Sequence, residues 1–127
     1  MNATIDHPVN THADRLDGAL SRFVALTGVE EALVADEGGL CVATSGAMPD
    51  HDLLAALTAH ASLMIERVRQ TERFSTPIAL AVTLAGGSVL HVHPFHVADD
   101  TFVLATTGRR PALDELHRLL AELRDLL

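Results

Sequence analysis

A chain of 127 residues hides about two-thirds of its unfolded surface on folding, so one domain around one core is expected. With 48% hydrophobic and 20% charged residues it reads as globular rather than disordered or fibrous. Nine arginines and no lysine stand against seventeen acidic residues, for a formal charge of −8, and tryptophan and tyrosine are absent. Phosphate backbones and anionic lipid are repelled by such a chain and no aromatic platform is available, so neither nucleic acid nor an anionic membrane surface is an expected partner.

Protonating all eight histidines cancels the formal charge, which predicts a solubility minimum at about pH 5. The single cysteine, Cys41, forms no internal disulfide, and a cytoplasmic address is expected. Met1 to His12 has no basic region followed by an apolar one, so it does not read as a signal peptide. Phe74 to Ala98 carries no Asp, Glu, Lys or Arg, but Pro77, Gly86, Gly87, Pro94 and three histidines interrupt it and its apolar residues alternate. A strand pattern, not membrane insertion, follows.

Residues 1–12 lack periodicity and read as a mobile leader before a domain over 13–127. From Asp14 to Thr27, Leu16, Leu20, Phe23 and Val24 have the one-sided spacing of a helix, with Thr11 as cap and Gly28 as stop. Glu31–Ala35 and Leu40–Ser45 flank Asp36-Glu37-Gly38-Gly39 as a hairpin. Asp50 or Asp52 is placed to cap a long helix ending near Arg73.

That helix is the most informative element, since between Leu53 and Ile65 its one strongly polar side chain is His60. Leu53, Leu57, Ala61, Met64 and Val68 form one stripe; Leu54, Ala55, Thr58, Ser62 and Ile65 form another. A small monomer needs one face buried. A helix apolar most of the way round implies a second partner surface, most simply a second copy of the chain.

After Pro77, Ile78, Leu80, Val82 and Leu84 share one face of a strand and Gly86-Gly87 reverses it. The return strand, Ser88 to His96, sets Val89, His91, His93 and Phe95 on one side, with Pro94 predicting a bulge or an end. A further strand covers Thr101–Thr107. Beyond Pro111, Leu113, Leu116, Leu120, Leu123 and Leu127 give an amphipathic helix. The order α-β-β-α-β-β-β-α fits an α+β domain with one antiparallel sheet covered by helices on both faces.

Gly28 to Gly46, with its Asp36-Glu37-Gly38-Gly39 turn, resembles the opening hairpin of the roadblock/dynein light chain family, and the likeness extends from Asp14 to Leu127. Val92-His93-Pro94-Phe95 resembles a passage in that family's later strands, while Glu31 departs from it, many members having glycine there. The resemblance implies a roadblock/profilin-like fold: a single five-stranded antiparallel sheet with the long second helix on one face and the two terminal helices on the other. It implies a homodimer in which third strands pair edge to edge and second helices pack together. Leu53, Leu57, Ala61, Met64 and Val68, with Ile78, Leu80, Val82 and Leu84, are then the candidate interface residues. The family binds other proteins, as dynein light chains, scaffolds, or in prokaryotes as partners and activators of small Ras-like GTPases, with no arginine necessarily donated.

Other constellations read as structural. His91, His93 and His96 suggest a metal site but lack further ligands at an established spacing, so solvent-facing strand positions are expected and no metal. Cys41 lies mid-strand, where a buried inert thiol is usual. Asp36 and Glu37 fit a hairpin turn rather than an acid pair or calcium loop. Gly86-Gly87 lacks the helix and lysine of a nucleotide loop. His60 is expected as a hydrogen-bonded core or interface residue, with a titrating dimer contact as the sharper alternative.

The functional expectation is therefore a non-enzymatic homodimeric regulator or scaffold, without cofactors, that binds a small Ras-like GTPase in a bacterial cytoplasm; arginine-only basic usage is compatible with a GC-rich bacterial genome. The alternative is a small-ligand sensor with an apolar cavity.

Overall fold

The computed structural model describes residues 11–127, with side chains from Ala13 onward; the leader expected over residues 1–12 falls largely outside them. The elements are α1 (Thr11–Thr27), β1 (Glu31–Asp36), β2 (Cys41–Thr44), α2 (His51–Gln70), β3 (Leu80–Thr83), β4 (Val89–Val97), β5 (Asp100–Gly108) and α3 (Leu113–Leu126). They build one five-stranded antiparallel sheet in the order β2-β1-β5-β4-β3. The expected α+β architecture is thus the one observed.

Period-two alternation divides the core between the two sheet faces. Ala32 and Val34 of β1, Leu104 of β5 and Phe95 of β4 pack under α1 and α3, against Leu16, Leu20 and Phe23 and against Leu116, Leu119, Leu120 and Leu123. Leu33, Ala35, Ala105, Val92 and Val103 take the opposite face beneath α2, against Ala55 and Ile65. Because β2 and β3 occupy opposite edges, the connection between them must cross the whole sheet. A 20-residue helix is about 30 Å long, enough to cross five strands at about 4.8 Å spacing.

Local chemistry sets the boundaries. Thr27 ends α1 by donating its hydroxyl to the Phe23 carbonyl at 2.8 Å, and Gly28 follows at φ 76°. In the first hairpin the N–H groups of Gly38 and Leu40 donate to Asp36 Oδ1, each at 2.9 Å, so this carboxylate builds the turn. α1 begins at Thr11 itself, earlier than the capped start after it. Asp50 occupies the N-cap of α2, yet neither expected cap forms: no side chain accepts a hydrogen bond there, and α2 ends at Gln70, short of Arg73. Leu113 is exposed at the start of α3 and Leu119, outside the expected stripe, is buried.

Three strand expectations are corrected. β3 is confined to Leu80–Thr83, leaving Ile78 and Leu84 just outside it. β4 runs through Pro94 in unbroken register with β5 (Pro94↔Val103). The reason is that β3 pairs only with Val89–Val92, so at Pro94 the strand has a neighbour on one side and a missing N–H costs no ladder bond. His91 and His93 do not face solvent: each is 8% exposed, on the side that carries Phe95.

Candidate functional site

Where α2 meets the sheet, it does so through small and branched residues. Ala55, Thr58 and Ile65 are buried, with Leu54 and Ala61 partly so. Thr58 satisfies its buried hydroxyl by donating to the Leu54 carbonyl at 2.7 Å. This settles which of the two stripes the sheet takes. The other is left outside: Leu53 is 64% exposed, Leu57 53% and Met64 59%, with Val68 beside them. Leu63, absent from the expected set, is exposed as well, at a position the 3.6-residue period assigns to the same outer side.

The edge strand beside α2 continues this apolar surface. Ile78, Val82 and Leu84 are exposed, whereas Leu80 turns inward with Ala61 against Ile65, Val92 and Val103. Seven of the nine candidate interface residues therefore lie on the outside of the chain, and Ala61 and Leu80 are half-buried in its own core.

The two sheet edges differ. At β2, α1 reaches over the edge: Asp17 Oδ1 accepts the Thr44 N–H at 3.1 Å and Ser21 donates to the Ser45 carbonyl at 2.7 Å. At β3 the sole ladder is with β4, and among the described residues no hydrogen bond is made along its outer edge. Ile78 to Leu84 contains no charged residue to blunt that edge. An open apolar edge of this kind templates pairing with another strand.

His60 lies on this outer face of α2, exposed and with no hydrogen-bond partner among the described residues, so it is not a core histidine. Its helical neighbours at three and four residues are Leu57, Ala56, Leu63 and Met64.

The remaining polar groups among the described residues are mostly engaged locally. Cys41 is half-buried, not fully buried, and burial together with the Asp52 and Asp17 carboxylates pushes its thiol above the usual range, disfavouring the nucleophilic thiolate. His51, which shares a shallow depression with Cys41 and Asp17, has its ring nitrogens turned to the Met48 carbonyl at 2.8 Å and to Asp52 at 3.2 Å. His91 and His93 stack with ring centroids 6.2 Å apart. Burial first, then the neighbouring His91, His117 and Arg124, hold His93 down at about 4; burial and Arg110 lower His91. His96 is exposed and bonded to Thr101 at 3.1 Å. Among the described residues no three His, Cys, Asp or Glu side chains are placed to hold a metal ion. No helix of the described residues is long and apolar enough to cross a membrane.

The groove between α1 and α3, about 90 Å³, is crossed by the Arg22–Glu122 ion pair. A cleft of about 160 Å³ between α2 and the β4–β5 hairpin holds the Glu66–Arg69 pair. Both have charged walls, and an ion pair lies in each.

No family model matches the sequence, and no curated protein does. Solved structures do match in fold. MglB of Myxococcus xanthus is 15% identical with a TM-score of 0.66, over 98% of this chain and 90% of that one. The gliding protein MglB of Thermus thermophilus is 16% identical with a TM-score of 0.66, over 100% of this chain and 94% of that one. A roadblock/LC7 domain of Streptomyces avermitilis is 22% identical with a TM-score of 0.64, over 86% and 91%. The chain has the roadblock/LC7 fold.

Proposed function

We propose that this roadblock/LC7-fold protein is a non-enzymatic homodimeric regulator or scaffold of a bacterial cytoplasm that binds a small Ras-like GTPase. The observation that carries the reading is the continuous apolar surface formed by the outer face of α2 and the open β3 edge. A second copy fits it for a reason internal to the sequence. Four of the outer apolar positions, Leu53, Leu57, Met64 and Val68, are spaced symmetrically about the middle of α2. Two such helices related by a two-fold axis bring Leu53 against Val68 and Leu57 against Met64 of the other copy. The same axis lays one β3 antiparallel to the other, extending the sheet and satisfying its free backbone groups. The GTPase belongs to the reading through what the roadblock resemblance implies, and the fold likeness to the two MglB proteins supports it.

Sedimentation equilibrium tests the self-association: the protein is expected as a dimer, and a Leu57→Asp, Met64→Asp variant as a folded monomer, because two carboxylates would be buried in an apolar interface. A wild-type monomer at micromolar concentration overturns the dimer. For the partner, the tagged protein is used to capture proteins from its host, and a recovered GTPase is then tested in GDP and GTP forms. Binding that prefers one nucleotide state is expected. Recovery of its own second copy alone would shift the reading to the ligand sensor, for which thermal-shift screening of metabolites is the direct test.

A further inference from the structure

His60 is exposed at the middle of α2, beside the midpoint of the four-residue stripe Leu53, Leu57, Met64 and Val68. In any two-fold pair of identical helices the point of closest approach falls at the same residue in both, whatever the crossing angle. Four of the outer apolar positions, Leu53, Leu57, Met64 and Val68, are symmetric about the His60–Ala61 peptide, while the fifth, Leu63, has the buried Thr58 at the mirrored position. His60 points away from the sheet, whose side of α2 is taken by Ala55, Thr58 and Ile65.

We infer that the His60 imidazoles of two copies meet at the dimer axis and make self-association proton-linked: tight when both rings are neutral, weakened when they charge. This rests on the self-association proposed above and adds to it a group that regulates it. Helices in contact lie about 8–10 Å apart, so two inward imidazoles share one small apolar enclosure. Neutral rings are accommodated there and can bond to each other; imidazolium ions are desolvated and repel.

No other charged group competes for the role. On α2, Arg67 is two turns away, about 10 Å along the axis, and the two-fold relation carries the second copy's Arg67 to the level of Leu54. Glu66 and Arg69 pair with each other on the flank at 3.2 Å, and Asp52 pairs with His51 at the helix start. Glu72 and Arg73 lie beyond the end of α2. On the adjoining edge, Ile78 to Ser88 contains no ionisable side chain. The β1–β2 turn packs on α2 at Ala56 and Ala59 through Gly39 and brings Glu37 to the flank that holds Glu66 and Arg69; the helical neighbours of His60 itself are apolar, and in the inferred pair it faces its own symmetry mate.

The test is the dimer dissociation constant of the full chain at about pH 8 and about pH 6, by sedimentation equilibrium, with far-UV circular dichroism at both values to establish that the fold persists. Excluding two histidine protons from the dimer gives a rise of about tenfold over that interval. His60→Leu and His60→Gln, neutral at both values, are expected to dimerise with an unchanged constant across it. A wild-type constant that does not move, or a pH dependence that survives both substitutions, overturns the inference while leaving the dimer intact. A wild-type monomer at both values overturns the underlying dimer as well, so the two failures are distinguishable.

Discussion

At the scale of single residues, Gly108 shows how close backbone approach constrains a sequence. It ends β5 at φ 104°, and a Cβ there would lie 2.8 Å from the backbone nitrogen of Glu30, which donates to the Thr107 carbonyl at 2.7 Å. Gly108→Ala is therefore expected to cost about 2–4 kcal/mol in urea denaturation, from the left-handed conformation and the clash together. His93 makes a different prediction. Its Nδ1 is buried without a partner among the described residues, and its neutral form is favoured in the fold, down to about pH 4. The unfolded chain takes up that proton at about pH 6.5. Stability is thus fully present above about pH 6.5 and falls as the pH drops toward 4, where the loss levels off. Free energies of unfolding measured over that window should decline less steeply in His93→Leu than in the wild type.

Elements divide their residues between internal and external work, and α2 does so most sharply. Ile65→Ala, beneath the helix beside Val92 and Val103, is expected to lose about 2–4 kcal/mol of unfolding free energy. Leu57→Ala, on the outer face, is expected to leave the unfolding of the dilute monomer within about 0.5 kcal/mol while weakening the proposed self-association. Periodicity alone marked α2 as apolar on two sides and identified both stripes. Which stripe faces inward was not legible, because either could fill the sheet surface; the choice fell to Ala55 and Thr58, whose small volume lets the helix lie close to Leu33 and Ala105. β4 carried the opposite difficulty. Its histidines alternate with apolar residues as a half-exposed strand would, yet α3 covers that side, bringing His117 and Arg124 near His93.

For the whole molecule, net charge sets solubility. The formal charge of −8 vanishes as the eight histidines charge, so a solubility series is expected to pass through a minimum at about pH 5. His93 charges later than an ordinary histidine, which shifts the minimum slightly downward.

Element order, the Asp36 turn, the antiparallel sheet and the excess of apolar surface on α2 could all be read from the residues in line. These depend on local periodicity and turn chemistry, which act over a few residues. The burial of His91 and His93, the tolerance of Pro94 within β4, and the contrast between an open β3 and a β2 closed by α1 emerged with the assembled fold. Each of those outcomes depends on which distant element lies alongside, and the order β2-β1-β5-β4-β3 sets that through contacts between residues far apart in the chain.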